Sequence, residues 1–321
     1  MKIDPYKHIK PELKELEVVL QKSIYSDVKL ATEVSSYIVK SGGKRIRPAL
    51  NILLAKSLSY KGSELLNLAA AIELLHTATL IHDDVVDESD IRRGKESIHR
   101  KWNNAHGVLV GDFVYSKAFQ LMASLSNKRI IQSLADSTNR ISEGEVLQLN
   151  LLNSKTLKEK DYFEIIGRKT AELFKASTAT AAHLAGSNNK MVLIAANFGF
   201  SLGIAFQLKD DLLDYSGEET YTGKQKGKDF MEGKITLPLI HALDKAQKKE
   251  KEFLMNAFRK GNKEDLNEVI NFFNESGAIE KVQEEVENYS DKCLFLLEKL
   301  DNSKYKESLI SMVNTLKKRS N

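Results

Sequence analysis

The chain contains little proline and almost no cysteine: 4 prolines and 1 cysteine among 321 residues. An average composition includes about 5% proline, so the scarcity of this helix breaker favours a mostly helical protein. Cys293 alone cannot form an intrachain disulfide. The first 30 residues also lack the unbroken apolar stretch of a secretory signal, and we therefore expect a cytoplasmic protein.

The chain also lacks a large excess of charge of either sign. Lysine and arginine number 48 against 44 acidic residues, which gives a net charge of +4. Such a small surplus predicts no nucleic-acid partner. Hydrophobic residues make up 42% of the chain and charged residues 29%, values that exclude intrinsic disorder.

One uncharged segment, residues 191–208, is long enough to be tested as a membrane span. It contains Asn197 and Ser201, and it runs directly into Lys209 and a group of aspartates. We interpret it as an interior helix of a large helical protein and predict no transmembrane segment.

Hydrophobic periodicity predicts helices along the whole chain, and no segment alternates as a strand would. Short breaks that contain glycine, asparagine or serine separate the helices. The predicted helices span residues 11–24, 26–40, 48–60, 63–87, 105–125, 127–151, 157–185, 190–215, 235–246, 248–259, 263–275, 277–300 and 303–319.

We therefore predict an all-α fold in which a single domain covers residues 1–321. Its core extends over about 25–245, and a more charged helical layer follows over about 247–321. One longer interruption, 216–234, is rich in glycine and lysine. A loop of that length inside a compact domain is usually functional or disordered.

Two acidic clusters share one spacing: DDVVD at 83–87 and DDLLD at 210–214. Residues four apart lie on the same face of a helix, so each cluster presents its first and last aspartate as a pair. Like charges at this spacing destabilise a helix by a few tenths of a kcal/mol. Something must offset that repulsion.

A solvated acidic helix face is the plainer explanation of such runs, but it predicts polar neighbours. The first cluster instead follows Leu80 and Ile81, and the second follows Phe206 and Leu208. Carboxylates at the ends of two apolar helices are better explained by a shared site for hard cations, and oxygen ligands suit Mg²⁺. The predicted metal-binding residues are Asp83, Asp84, Asp87, Asp210, Asp211 and Asp214.

Basic residues stand around these motifs in the sequence. A glycine turn at 42–48 leads into a helix with Pro48 near its first turn. Arginine forks and lysine charges are what phosphate groups require. Each residue alone would be an ordinary solvated charge, but with two carboxylate clusters the set predicts a site for more than one highly anionic substrate. The set comprises Lys44, Arg45, Arg47, Arg92, Arg93, Lys169, Lys224, Lys228 and Lys234.

These stretches resemble the trans-polyprenyl diphosphate synthase family, and within it most nearly the bacterial octaprenyl diphosphate synthases. The similarity covers roughly residues 25–245. A lone DDxxD would be a weak signal, whereas two of them with the surrounding basic elements are highly specific. The matching stretches are GGKRIRP (42–48), HTATLIHDDVVDESDIRRG (76–94), GEVLQL (144–149), KTAELF (169–174), FQLKDDLLDY (206–215) and EGKITLPL (232–239).

The resemblance implies an isoprenoid synthase fold, in which a helical bundle surrounds a deep central cavity and the two aspartate motifs face each other. It implies a head-to-tail condensation of isopentenyl diphosphate onto an allylic diphosphate such as farnesyl diphosphate, with three Mg²⁺ ions when both substrates are bound. The released diphosphate accepts the proton, so no protein base is assigned. The implied product is octaprenyl diphosphate, a precursor of quinone side chains.

The resemblance also implies a role for each matching residue. The implied catalytic residues are Asp83, Asp87, Asp210, Lys169 and Arg92. The implied contacts to the allylic diphosphate are Arg92, Lys169, Thr170, Gln207, Lys224 and Lys234. The implied pocket for isopentenyl diphosphate comprises Lys44, Arg47, His76 and Arg93, with Phe206 beside the hydrocarbon portion of that substrate.

The assembly implied by the resemblance is a homodimer. Residues 107–125 resemble part of the family's dimer interface. No transmembrane segment is expected, but release of a long product implies a transient contact with a membrane.

The helix that precedes Asp83 predicts a long product. Thr79 and Ala78, four and five positions back, lie one turn deeper along the path of a growing chain, and both are small. Residues 64–82 contain no phenylalanine, tyrosine or tryptophan, whereas short-chain relatives resemble each other in placing a bulky ring near this level. We expect a deeper cavity floor formed by Leu75, Phe119 and Met122.

Other functions stay open at this point. A shorter-chain farnesyl or geranylgeranyl diphosphate synthase is the nearest alternative. A class I terpene cyclase would not use a second-diphosphate pocket, and a non-catalytic subunit of a heteromeric synthase would lack the acidic motifs. Lys209 and Lys228 stand where related sequences often have an apolar and an acidic residue, and helical geometry predicts that Lys209 points away from Asp210.

Overall fold

Helices form nearly all of the regular structure in the computed structural model, which describes residues 4–152, 158–216 and 226–318. The predicted all-α class is confirmed. The helices are α1 (Lys10–Ser23), α2 (Lys29–Lys40), α3 (Ile46–Ser57), α4 (Leu65–Val86), α5 (Ile98–Lys101), α6 (Asn104–Ala123), α7 (Lys128–Leu152), α8 (Glu159–Ile166), α9 (Glu172–Leu184), α10 (Asn189–Ser216), α11 (Lys228–Met231), α12 (Leu237–Lys245), α13 (Lys248–Lys260), α14 (Leu266–Glu275), α15 (Ala278–Leu297) and α16 (Lys304–Lys318).

The predicted helix bounds agree with these to within three residues, with one internal exception. The predicted helix over 157–185 is interrupted by a π-helical segment, Gly167–Ala171, between α8 and α9. A π segment of five residues spans about one turn, which is too short to show a period of its own, so the periodicity could not reveal it.

The structure also contains a short β-hairpin that the sequence analysis did not predict. Strands β1 (Ile91–Arg92) and β2 (Lys95–Glu96) pair antiparallel, with Arg92 opposite Lys95. The two turn residues, Arg93 and Gly94, both have positive φ, at 53° and 73°. That is the conformation of a type I′ turn, whose twist suits a tight hairpin. Strands of two residues are too short to show an alternating pattern.

The described residues form two compact units. The first contains residues 4–138, 173–199 and 296–311, and the second contains 139–152, 158–172, 200–216, 226–295 and 312–318. The single domain expected from the sequence stays a prediction.

In the first unit, α4 packs along α6 and also contacts α1 and α3. Residues of α4 are buried on all sides, including a run of three alanines at 69–71. Two glycines of α6 permit the close approach of the helices, because a Cβ at Gly107 would meet Val85 and one at Gly111 would meet the ring of His82. The end of α4, which carries the first aspartate motif, is thereby fixed against α6.

In the second unit, aromatic rings form the centre of one hydrophobic cluster. Phe230 packs edge to face on Phe258 with ring centroids 4.9 Å apart, and Tyr215 packs edge to face on Phe273 at 5.1 Å. A second cluster joins α8, α10, α12 and α15 through residues such as Leu208 and Leu212 of α10. Both clusters anchor the stretch of α10 that carries the second aspartate motif.

Two helices, Leu65–Val86 and Asn189–Tyr215, are long and apolar enough to cross a membrane by length and composition alone. Most of each is buried within the protein, however: 67% and 56% of their most apolar windows. The core helices of large helical proteins pass the same test.

We predict that Phe273→Ala lowers the free energy of unfolding by about 3–5 kcal/mol, because truncating a fully buried ring leaves a cavity. Phe295→Ala is the matched control, since Phe295 is 58% exposed in α15, and it is expected to cost less than about 0.5 kcal/mol. Urea unfolding followed by circular dichroism measures both. Equal losses in the two variants would contradict the assignment of Phe273 to a closely packed core.

Candidate active site

The first aspartate motif occupies the last turn of α4. Asp83 and Asp87 are half-buried, and the backbone N–H of Asp87 donates to the carbonyl of Asp83 at 2.8 Å. Asp84 is buried between them and accepts hydrogen bonds from Nε and Nη2 of Arg92, at 2.8 and 2.5 Å. Burial lowers the pKa of Arg92, but the hydrogen bonds and charge of Asp84 outweigh it and raise the pKa overall. Asp84, the middle aspartate, thus fixes the position of Arg92, which is predicted to bind a diphosphate.

The β-hairpin brings the next arginine to the glycine turn at 42–43. Nη1 of Arg93 donates to the carbonyl of Gly42. A Cβ at Gly43 would lie 2.8 Å from the guanidinium of Arg93, so this position requires glycine for the close approach. Lys44 is exposed beside this turn.

Arg47 lies in the first unit, and its guanidinium contacts an aromatic ring and an imidazole. Its guanidinium stacks over the ring of Phe174 at 4.5 Å, and its Nη1 is 3.1 Å from Nε2 of His76. The buried Nε of Arg47 has no hydrogen-bond partner among the described residues. Burial lowers the pKa of Arg47 to about 10 and the pKa of His76 well below its usual value, so the imidazole is neutral. Arg47 is therefore a desolvated cation whose Nε–H has no acceptor among the described residues.

The second aspartate motif belongs to a buried hydrogen-bonded chain in the second unit. Asp211 is buried in α10 and accepts bonds from the hydroxyl of Tyr162 at 2.5 Å and from Nε2 of Gln207 at 2.7 Å. Gln207 in turn accepts from Oγ1 of Thr170 at 2.8 Å. Burial and the negative charge of Asp229 raise the pKa of Asp211. Asp211, the middle aspartate of this motif, thus fixes the position of Gln207, which is also predicted to bind a diphosphate.

Lys169 and Thr170 both lie in the π-helical segment. Nζ of Lys169 donates to Oε2 of Glu145 in α7 at 2.7 Å. The segment lies so close to α7 that a Cβ at Gly144 would be 3.0 Å from the backbone nitrogen of Lys169. π-Helical turns occur often at functional sites, and this one sets the positions of two predicted ligands.

Asp210 is half-buried. Asp214 accepts hydrogen bonds from the backbone of residues 227–229. The carboxylate of Asp214 accepts from the backbone N–H groups of Lys228 and Asp229, at 3.2 and 2.9 Å, and its carbonyl accepts from the N–H of Gly227 at 2.9 Å. Asp214 therefore fixes the start of α11.

Other basic residues near the second motif pair with polar side chains of the second unit. Nζ of Lys234 pairs with Glu232 at 2.8 Å, and Lys228 pairs with the same carboxyl group at 3.3 Å. Lys209 points away from its neighbouring aspartate, as predicted, because its Nζ donates to Oε1 of Gln283 in α15 at 2.8 Å. Lys224 lies outside the described residues.

The residues expected along the product path differ in burial. Ala78 and Leu75 on α4 and Met122 on α6 are buried, while Thr79 is half-buried and donates from Oγ1 to the carbonyl of His76 at 2.8 Å. Phe119 is 39% exposed and packs edge to face on Tyr115 at 5.1 Å. Phe206 is half-buried in α10.

Each unit thus brings together one half of the predicted site residues. Among the described residues, no group of three or more carboxylate, imidazole or thiol side chains is arranged to hold a metal ion by itself. Mg²⁺ keeps several waters and takes one or two protein carboxylates together with substrate phosphates, and metal binding by these aspartates stays a prediction. The approach of the two aspartate motifs to each other stays a prediction.

Sequence reasoning missed two residues that orient the site, Tyr162 and Glu145. Glu145 falls within the matching stretch GEVLQL, which could have marked it. Tyr162 gave no sequence signal, because it is 49 positions from the aspartate that it contacts.

Comparisons with known proteins agree with these motifs. The family model for polyprenyl synthetase matches residues 28–274. Octaprenyl diphosphate synthase from Escherichia coli (strain K12) is 40% identical over 93% of the chain and 93% of its own length. Octaprenyl diphosphate synthase from Haemophilus influenzae is also 40% identical, over 94% of the chain and 92% of its own length. A crystal structure of polyprenyl synthase from Caulobacter crescentus CB15, complexed with calcium and isoprenyl diphosphate, superimposes with a TM-score of 0.94 and 35% identity, covering 99% of the chain and 97% of its own.

We predict that Tyr162→Phe destabilises the protein by about 1–3 kcal/mol, because it removes a donor from the buried carboxylate of Asp211. Tyr289→Phe is the matched control: its half-buried ring packs on Phe163 at 6.2 Å, and the loss should stay below about 0.5 kcal/mol. Urea unfolding of the two variants gives the comparison. A Tyr162→Phe variant as stable as the wild type would show that the hydroxyl does not support Asp211.

Proposed function

The chain belongs to the polyprenyl synthetase family and is a prenyltransferase that elongates trans-prenyl chains, and on this premise we propose that it extends farnesyl diphosphate with isopentenyl diphosphate as far as octaprenyl diphosphate. One observation carries the assignment of the site. In each aspartate motif the middle carboxylate is buried and hydrogen-bonded to a side chain proposed to bind diphosphate, Arg92 in one and Gln207 in the other.

In each cycle of the proposed reaction a C–O bond and a C–H bond break, and a C–C bond and an O–H bond form. The bond between the allylic carbon and the diphosphate oxygen breaks, and the electron pair leaves with the diphosphate. The double bond of isopentenyl diphosphate attacks the resulting allylic cation, and the released diphosphate takes the proton lost from the adduct. The product is an allylic diphosphate longer by one isoprene unit, which can enter the next cycle. Protein groups serve mainly to stabilise the leaving group's charge.

Two sets of side chains are proposed for the allylic diphosphate. Arg92 belongs to the first unit, and its bonds to Asp84 fix the direction of its guanidinium. In the second unit, Thr170 and Gln207 are held in the hydrogen-bonded chain that ends at Asp211, and Lys169 is held by Glu145. Such fixed donors stabilise developing negative charge without reorganising. Lys224 and Lys234 complete the proposed set.

Isopentenyl diphosphate is proposed to bind at Arg47, Lys44, His76 and Arg93. The buried Nε of Arg47, which lacks a hydrogen-bond partner among the described residues, supports this proposal. Burying an unpaired guanidinium is costly, and a diphosphate would supply the missing acceptor and the opposite charge. The half-buried ring of Phe206 is proposed to lie beside the hydrocarbon portion of this substrate.

Divalent cations, proposed to be three Mg²⁺ ions when both substrates are bound, are assigned to Asp83, Asp87 and Asp210. These aspartates are half-buried. Asp84, Asp211 and Asp214 are proposed to support them through the hydrogen bonds that they accept from protein groups. Bound Mg²⁺ supplies Lewis-acid stabilisation of the diphosphate leaving group.

A long product is proposed because the residues of α4 one turn before the first motif, Ala78 and Thr79, have small side chains. Ala78 is buried, and Thr79 turns its hydroxyl back to the backbone of its own helix. The floor is proposed at Leu75, Phe119 and Met122. A farnesyl or geranylgeranyl diphosphate synthase is the alternative if the floor lies higher.

The proposed assembly is a homodimer that uses α6. This helix leaves Val108 and Leu109 exposed, the latter at 67%, and exposed apolar surface of this kind often marks an interface. We propose that the enzyme works in the cytoplasm, that its product supplies quinone side chains such as that of ubiquinone, and that it contacts the membrane transiently to release that product.

We expect purified protein incubated with Mg²⁺, farnesyl diphosphate and labelled isopentenyl diphosphate to give octaprenyl diphosphate as the dominant product. Chromatography of the dephosphorylated products measures chain length, and a parallel reaction with EDTA should give no incorporation. Labelled products that stop at geranylgeranyl length would support the reaction and contradict the proposed chain length. No incorporation by folded protein with metal present would contradict the proposed activity.

We predict that Ala78→Tyr shortens the product, because the ring would block the path of the chain one turn below Asp83. Ala78→Ser is the matched control, since it keeps a small side chain at the same position, and its product should match that of the wild type. Product chromatography is run beside thermal unfolding to show that both variants are folded. A folded Ala78→Tyr enzyme that still makes the full-length product would contradict the path along α4.

A further inference from the structure

Arg45 starts α3 in a conformation that non-glycine residues rarely adopt. Its φ and ψ are 47° and 38°, in the left-handed region. Such a conformation is unfavourable for a long side chain and persists only where the surroundings impose it. Lys44 precedes it in the chain, and Arg47 follows two residues later in the first turn of α3. The strained residue therefore determines where two proposed ligands of isopentenyl diphosphate point.

The side chain of Arg45 is buried and fully engaged with the protein. Its Nε and Nη2 donate to the two carboxylate oxygens of Glu17 in α1, at 2.7 and 3.0 Å. Its Nη1 donates to Oε1 of Glu73 in α4 at 2.7 Å, and Nη2 also donates to the carbonyl of Val39 in α2 at 2.9 Å. One guanidinium thus ties the glycine turn to three helices.

Glu73 is the partner with the largest consequence. It is 2% exposed and lies one turn before His76 on α4. Its charge also acts on the neighbouring pocket, because it raises the pKa values of Arg47 and Arg93 while burial lowers both. A buried carboxylate that lost Arg45 would need another cation, and Arg47 is within its electrostatic reach.

Stability alone is a weak reason for this arrangement. Buried ion pairs often contribute little net stability relative to apolar replacements, whereas they do fix one geometry among several. The planar fork of arginine suits this task, since it meets two carboxylates and a carbonyl at once.

We propose that Arg45 is a positioning residue for the isopentenyl diphosphate pocket. Its guanidinium holds the left-handed turn that presents Lys44 and Arg47, and it keeps the carboxylate of Glu73 from pairing with Arg47. The inference rests on the proposed function of Arg47 as a ligand of that substrate.

The test is steady-state kinetics of Arg45→Met with each substrate varied in turn. We expect KM for isopentenyl diphosphate to rise about ten- to a hundredfold, the cost of misplacing a binding group. The KM for farnesyl diphosphate and kcat should stay within about threefold, because only one substrate loses contacts. Arg45→Lys, which keeps a charge for Glu73 but not the fork, should give an intermediate KM for isopentenyl diphosphate.

A double variant separates the two parts of the role. Glu73→Gln added to Arg45→Met removes the competing carboxylate, so KM for isopentenyl diphosphate should recover part of the way toward wild type. If Arg45→Met does not fold, Arg45→Lys and the double variant carry the test. Glu12→Gln is the control, because it breaks an ion pair with Lys56 in the same unit, outside the pocket. It should leave both KM values unchanged.

The inference is overturned if folded Arg45 variants keep the wild-type KM for isopentenyl diphosphate, or if both KM values and kcat change together. Arg47→Lys distinguishes this failure from failure of the proposed function. An unchanged KM for isopentenyl diphosphate in Arg47→Lys would show that the pocket is assigned to the wrong residues. A raised KM in Arg47→Lys beside unchanged Arg45 variants would reject only the positioning role.

Discussion

A carboxylate that is taken out of water must be met by hydrogen-bond donors, and both aspartate motifs are organised by that requirement. Asp84 is met by Arg92, and Asp211 by Tyr162 and Gln207. Satisfying the buried member of each doublet also determines where a second polar side chain points. The positions of Arg92 in one unit and of Gln207 in the other therefore follow from the need to satisfy a buried carboxyl group.

Helix α4 combines several tasks because its few polar side chains are spaced along one mostly buried helix. It carries Glu73, His76, Ala78 and Asp83 in order, and a rigid helix fixes the rise from His76 to Asp83 at about 10 Å. The contact with the glycines of α6 prevents it from shifting. The residues proposed for anion binding, for the hydrocarbon path and for metal binding on α4 therefore have fixed distances along one helix. Their spacing is set by the covalent chain and does not depend on loops.

The sequence predicted the helices well, because they leave a regular signal, whereas the roles of the site residues stay a prediction. Amphipathic period located the helix ends, and the repeated DDxxD marked the carboxylates. It could not show that the middle aspartates turn inward, since spacing alone does not distinguish which face a core covers. The partners of buried charged side chains can also be distant in the chain. Arg45, for example, contacts Glu17 and Glu73, each 28 positions away. Long-range ion pairs leave no local pattern.

The π-helical segment has a consequence for the number of residues in this part of the chain. Tyr162 of α8 contacts Asp211, and Thr170 of the segment Gly167–Ala171 contacts Gln207, one turn before Asp211 on α10. Each residue of a helix turns the following ones by about 100°. An insertion or deletion of one residue between Tyr162 and Thr170 would therefore turn one of the two side chains away from its partner. The segment is thus constrained in its residue count as well as in its composition.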